Sequence, residues 1–252
     1  MREGRPDGYQ ALMPTHVRDV LTRILVPLAV LTVVMIGIGL LATKGLAHSW
    51  PFTAEDEVNR QLSADRTRRW DEVTTFFSVL ASTPAVIAVT AVVAGVMRLV
   101  FKRWRESLFL AGAVAAQSVV FLLTTIMIDR SRPAVPHLDA SPPTSSFPSG
   151  HTSAALCLYG GIAVVLALHA RHRRLAPILL WVLLLAVPVA VALSRVYRGM
   201  HHPSDVVASF VNGITCLTVM ARAILTSAVR WSGEHVPGAV ADPVRRRISR
   251  EA

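Results

Sequence analysis

Residues Ser107 to Ile128 read SLFLAGAVAAQSVVFLLTTIMI, twenty-two positions without a charged side chain. At about 1.5 Å of rise per residue, a helix of that length crosses the roughly 30 Å hydrocarbon core of a bilayer. Five other runs meet the same demand: Ile24 to Thr43, Val79 to Val100, Thr152 to Ala170, Leu175 to Leu193 and Val206 to Val229. Lipid offers the backbone no hydrogen-bond partner, so each run must satisfy its own amides as a helix. The sequence therefore predicts an all-α, six-span transmembrane helical bundle. The last run is the weakest, because Arg222 interrupts it and has to snorkel toward an interface.

Composition agrees. Of 252 residues, 52% are hydrophobic and only 17% charged, which excludes a water-soluble globule and, for most of the chain, disorder. The formal net charge of +10 invites a nucleic-acid reading. The basic residues instead form short clusters between long uncharged runs, so no nucleic-acid partner is expected and membrane orientation explains them. Cys157 and Cys216 sit inside apolar runs without metal-ligand spacing, and read as buried thiols. Arg18 and Arg23 precede the first run as in a secretory signal, but its uncharged core is too long and no A-x-A site follows closely, so it reads as an uncleaved anchor.

In the six-span arrangement, seventeen of the Lys and Arg residues fall on the side that holds both termini and nine on the other. By the positive-inside rule both termini are cytoplasmic and the loops after the first, third and fifth spans are extracytoplasmic. Trp50, Trp70, Trp104 and Trp231 fall near span ends, where indole rings anchor in the headgroup zone. Between Glu55 and Phe77, the residues Val58, Leu62, Trp70, Val73 and Phe77 recur at near-helical spacing among charges. They predict a short amphipathic helix on the outer surface, packed on the bundle or guiding a lipid headgroup. The tail beyond Trp231 reads as a basic segment attracted to anionic membrane lipids.

The outer loops after spans three and five concentrate polar groups in three segments. These are Asp129-Arg130-Ser131-Arg132-Pro133, Pro148-Ser149-Gly150-His151, and Ser194-Arg195 followed by His201 and Asp205. Pro148 and Gly150 shape a tight entry into the fourth span, where amides near Ser149 and Gly150 and the Ser149 hydroxyl suit a phosphate; a plain helix-capping turn reads equally well. His201 and Asp205 are four apart and share a face if a helix begins near Pro203. The carboxylate could then hold one imidazole nitrogen protonated and leave the other to attack phosphorus; the plain alternative is a helix cap with a surface contact. Arg132 and Arg195 offer forked donors to phosphate oxygens. Arg130 and Arg198 read as interface residues or headgroup contacts, and His202 as a bystander.

Together these segments resemble the signature of the type 2 phosphatidic acid phosphatase superfamily, lipid phosphate phosphatases that share a site with vanadium-dependent haloperoxidases. PSGH is complete at Pro148 to His151, and SR-x5-H-x3-D is complete from Ser194 to Asp205. The family's K-x6-RP is kept at Arg132-Pro133 only, with Thr125 where the Lys is expected. Either a neighbour such as Arg130 substitutes for that cation, or phosphate affinity falls. The resemblance implies that His201 attacks phosphorus, Asp205 orients it, and His151 protonates the leaving alkoxide and then serves as base for the water. It also implies that Arg132, Ser149, Gly150 and Arg195 stabilise the phosphoryl oxygens, with no cofactor and no metal. No carboxylate cluster suited to Mg²⁺ lies near the histidines.

The expectation is an integral membrane lipid phosphatase of the cytoplasmic membrane, with its site on the extracytoplasmic face. Its parts are a cytoplasmic segment over 1–23, a six-helix phosphatase domain over 24–229 and a basic cytoplasmic tail over 230–252. Its partner is a lipid phosphate substrate: phosphatidic acid, phosphatidylglycerol phosphate or undecaprenyl pyrophosphate. The rivals are a lipid phosphotransferase using the same intermediate, and a non-catalytic protein that binds lipid phosphates. Oligomeric state is not written in the sequence.

Overall fold

The computed structural model describes residues 21–47, 49–141, 143–169 and 175–226. Helix α1 covers Thr22–Gly45, α4 Thr83–Phe101, α5 Arg105–Met127, α6 Gly150–His169, α7 Pro177–Tyr197 and α8 Pro203–Thr226, and each is long and apolar enough to cross a membrane. Two shorter helices, α2 (Phe52–Ala64) and α3 (Arg68–Leu80), lie between the first and second spans. Among the described residues there is no strand. The basic tail expected to be cytoplasmic and most of the N-terminal segment, with Trp231 and the arginines at 171, 173 and 174, lie outside the described residues.

Helix α5 is the axis of the bundle, packed against α1, α4, α6 and α8. Phe109, Leu110 and Ala113 of α5 are wholly buried and meet Cys157, Leu158 and Val165 of α6, Cys216 of α8 and Met35 of α1 in one apolar core. By contrast α1 and α4 keep most of their apolar surface exposed, as helices on the lipid side of a bundle do. Arg222 is exposed in the last turns of α8, where a long side chain can reach an interface.

The span ends differ from expectation where chemistry intrudes. Helix α7 runs on to Tyr197, so Ser194 and Arg195 stand in its last turns and not in a loop. Helices α6 and α8 begin at Gly150 and Pro203, ahead of the apolar residues, which brings the polar motifs into their first turns.

The outer surface holds two helices where one was expected. The break falls at Asp65 to Thr67; Thr67 caps α3 through its hydroxyl, which accepts the Trp70 N–H at 3.4 Å. Arg66 fastens this corner by donating to the Pro136 carbonyl at 2.7 Å and the Tyr197 carbonyl at 2.9 Å. The expected apolar stripe is split: Leu62 and Phe77 pack against the bundle and the other three residues do not. Val58, Trp70 and Val73 are exposed, whereas Glu55, Asn59, Thr74 and Ser78 are buried against the bundle. Beneath α2 and α3 lie helix ends and arginines, which need polar partners, beside small apolar clusters that take Leu62 and Phe77.

Candidate active site

Residues 128–141 and 143–149 cross one end of the bundle between the end of α5 and the start of α6. This segment is held to itself by the Ser146 N–H donating to the Arg130 carbonyl at 2.9 Å and the Ser146 hydroxyl donating to the Ser131 carbonyl at 3.0 Å. A second crossing joins α7 to α8 and turns at Gly199, whose φ of +71° places it in the left-handed region. A Cβ there would stand 2.7 Å from Val135 and 3.1 Å from the Pro136 carbonyl, so the two crossings meet only because this residue is glycine.

That contact delivers His201 to the 128–149 segment. His201 is buried, and its Nδ1 lies 2.7 Å from the Ser146 carbonyl. A carbonyl only accepts, so Nδ1 carries the proton and Nε2 keeps its lone pair. Asp205 Oδ2 is 3.8 Å from Nδ1, too far for a hydrogen bond. The spacing assigned the orienting bond to the Asp205 carboxylate; the structure gives it to a backbone carbonyl, with Asp205 acting as a nearby charge. Burial pushes the His201 imidazole below the usual histidine range; Asp205 opposes this, while the guanidiniums of Arg195 and Arg132 reinforce it.

Asp205 is itself wholly buried. Its Oδ2 accepts the His202 N–H at 2.8 Å, and its Oδ1 accepts from Arg130 Nη1. His202 is therefore no bystander: its backbone anchors Asp205, and its ring Nε2 stands 3.4 Å from Asp56 of α2. Arg130 corrects two expectations at once. It is buried, away from headgroups, and its bonds to Asp205, Ser204 and Glu55 turn it from any cationic role at Thr125.

Arg195 is buried at the end of α7, with Nη1 donating to Ser78 Oγ of α3 at 2.7 Å and to Asp139. Arg132 Nη1 donates to the Met200 carbonyl at 2.7 Å. The Nε of each of these two arginines is buried and has no hydrogen-bond partner among the described residues. Burial lowers Arg132 from the usual guanidinium value, with the charge of Asp205 opposing, yet a guanidinium stays protonated at neutral pH. Arg198, read from sequence as an interface residue, is buried too, and grips Asp139 through Nε at 2.9 Å and Nη2 at 2.6 Å. Burial alone would raise the Asp139 carboxyl, but the bonds and charges of Arg198 and Arg195 hold it below the usual carboxylate range.

Ser149 departs from its expected role. Its N–H donates to Ser209 Oγ of α8 at 2.7 Å and its hydroxyl accepts from Thr152 at 3.0 Å, so both groups face the helix packing. A hydroxyl on α8 outcompetes an incoming anion for that amide. Gly150 remains at the cavity wall, and a Cβ there would press on the Phe121 ring at 3.0 Å.

His151, His201, Arg132, Arg195 and Gly150 line one cavity of about 760 Å³. Its remaining wall is largely apolar, built from Val86 and Ile87 of α4 with Val114, Phe121 and Leu122 of α5. Ile87 and Leu122 of this wall are exposed, so the cavity is open at its α4 and α5 side. Thr125 lines it as well, buried, with its hydroxyl lacking a partner. Among the described residues no group of three His, Cys, Asp or Glu side chains is placed to hold a metal ion. Sequence reading missed Glu55, Ser78, Asp139 and the Ser146 carbonyl; only Arg130, two residues before Arg132, carried a motif-like signal.

Comparison with known proteins gives a family and a fold likeness. Residues 106–228 match the family described as the PAP2 superfamily. Phosphatidylglycerophosphatase B of Bacillus subtilis (strain 168) is 26% identical over 166 residues, which is 64% of this chain and 79% of that protein. The crystal structure of a transmembrane PAP2-type phosphatidylglycerolphosphate phosphatase from Bacillus subtilis superposes with a TM-score of 0.65 at 22% identity, covering 78% of this chain and 94% of that one. The second likeness is one of fold.

Proposed function

Since residues 106–228 form a PAP2 superfamily domain in a six-span integral membrane protein, we propose that this protein is a lipid phosphate phosphatase working through a phosphohistidine. One observation carries the reading. Two arginines, each with a buried Nε–H that has no partner among the described residues, and two imidazoles line one cavity whose other wall is largely apolar. Orphaned buried donors are costly, and a tetrahedral anion is the ligand whose oxygens satisfy them.

A phosphate headgroup enters with its chains along Val86, Ile87 and Leu122, and its non-bridging oxygens accept from Arg132 and Arg195 at the Gly150 end of α6. The Nε2 lone pair of His201 forms the N–P bond in line with the departing ester oxygen, which leaves with the P–O electron pair and takes a proton from His151. Neutral His151 then removes a proton from water, the hydroxide breaks the N–P bond, and His201 recovers its lone pair as inorganic phosphate departs. A binding protein needs cations and amides, but not a tautomerically fixed imidazole with a free Nε2; this favours catalysis over mere capture.

The charge asymmetry of the loops supports an extracytoplasmic site with cytoplasmic termini, residues 24–229 forming the phosphatase unit. Phosphatidic acid, phosphatidylglycerol phosphate and undecaprenyl pyrophosphate are the substrates to compare, the second favoured by the name of the 26% identical relative. The test is phosphate release from these lipids by the purified protein in micelles containing chelator. Wild type is expected to release phosphate and to be inhibited by orthovanadate, which mimics the five-coordinate transition state; His201→Ala is expected to be inactive. Full activity in His201→Ala would overturn the mechanism.

A further inference from the structure

Glu55 takes no part in the scheme above, and it stands on α2, ahead of the family match at 106–228. Its side chain is only 6% exposed, a costly site for a charge without partners. Those partners lie where α8 begins. Glu55 Oε1 accepts the Ser204 N–H at 2.7 Å, and Oε2 accepts the Ser204 hydroxyl at 3.1 Å and Arg130 Nη2 at 2.7 Å. Arg130 Nη1 donates in turn to Ser204 Oγ at 2.7 Å and to Asp205 Oδ1. One guanidinium thus bridges two buried carboxylates, and the second of them stands beside the His201 ring.

We infer that Glu55 is a positioning residue for phosphoryl transfer: through Arg130 it fixes Asp205 beside His201, and it supplies the surplus negative charge that stabilises the ring as the N–P bond forms. The inference rests on His201 being the nucleophile.

Charge counting gives the reason. Arg130 and Asp205 alone form a neutral pair with a weak field at the ring; adding Glu55 makes two carboxylates against one guanidinium, a net of one negative charge. When Nε2 commits its lone pair to phosphorus, the ring keeps its Nδ1 proton and becomes a phosphoimidazolium cation. The ester oxygen leaves with the P–O pair and is protonated by His151. The surplus charge stabilises that cation more than the neutral imidazole, so it acts on the barrier and not on ground-state binding. Other groups around the ring oppose or flank it. Arg132 and Arg195 disfavour positive charge on His201, as does His151 of α6. On the negative side, Asp56 of α2 reaches only the His202 ring, and Asp139 is already engaged by Arg195 and Arg198.

The test compares wild type, Glu55→Gln, Glu55→Asp and His201→Ala as purified full-length proteins, with dioctanoyl phosphatidic acid in micelles. Glu55→Gln keeps the shape and an acceptor for Ser204 but removes the charge. Its kcat is expected to fall about tenfold with KM changed less than about threefold, and the acid limb of kcat/KM to move to lower pH. Glu55→Asp, which restores the charge, is expected to bring the limb back. The limb position does not depend on how much of a variant folds, so a destabilised preparation still reports. An unmoved limb in Glu55→Gln, or a Glu55→Asp limb no closer to wild type than that of Glu55→Gln, overturns the inference. An inactive His201→Ala alongside either result leaves the nucleophile assignment standing, whereas an active His201→Ala removes that assignment and this inference together.

Discussion

Arg195→Lys isolates what a guanidinium does that a point charge cannot. Arg195 divides its donors: Nη1 serves Ser78 and Asp139, while buried Nε has no partner among the described residues, and the side chain lines the cavity. An ammonium at the same place keeps the charge but cannot hold Asp139 and the substrate at once. Asp139 stays anchored, since Arg198 still grips it through Nε at 2.9 Å and Nη2 at 2.6 Å, so the variant is expected to fold. The loss is then one charge-assisted hydrogen bond, about 1.5–3 kcal/mol, which corresponds to roughly 10- to 150-fold in kcat/KM. Initial-rate phosphate release over a range of micellar phosphatidic acid measures it, with the melting temperature as a control on folding. A kcat/KM within threefold of wild type would refute the assignment of the Arg195 Nε–H to the phosphoryl oxygens.

Four further outcomes follow from the same geometry. His201 is held below its ordinary value of 6.5 by burial, so it stays neutral and reactive as pH falls through that value, and the acid limb of kcat/KM should lie below 6.5. The linked stability has the same sign: the unfolded imidazole takes a proton first, so stability is full above 6.5 and declines as pH falls beneath it, which melting temperatures from pH 7 to 5 would show. Thr125→Lys places a cation where the cavity wall has an unpartnered hydroxyl, and should lower the inhibition constant for orthovanadate about tenfold with little change in melting temperature; a weaker vanadate affinity would separate Thr125 from the phosphate subsite. Ile87→Trp narrows the apolar wall between α4 and α5, and should raise KM several-fold for long-chain phosphatidic acid while sparing a water-soluble aryl phosphate; equal effects on both would remove the chain-binding role of that wall.

The parts of this molecule legible from sequence were those encoded by residue type at short range. Apolar length marked all six spans, the last in spite of Arg222, and the observed helices overlap each of them. Motif residues His151, His201, Arg132, Arg195 and Gly150, scattered over spans three to six, meet at one cavity. What escaped were the partners. A backbone carbonyl leaves no trace in residue identity, so the bond from His201 to Ser146 was assigned to the nearest carboxylate in sequence instead. Glu55 and Ser78 lie seventy-five and one hundred and seventeen positions from the arginines they hold, and the near-helical spacing of Val58, Trp70 and Val73 drew attention to the opposite face of their helices. The bond from the Ser149 amide to Ser209 escaped because a helix start looks open until the neighbouring helix is in place.

Helices α2 and α3 precede the stretch shared with the family, yet Glu55 and Ser78 on them hold Arg130 and Arg195. Trimming the chain to its recognisable half would take one acceptor from each arginine, leaving Arg130 with Asp205 and Ser204 and Arg195 with Asp139, while every signature residue stays intact. The same division makes the hairpin an exchangeable part: transplanting it from a relative would retune reactivity from outside the motifs by which such enzymes are recognised.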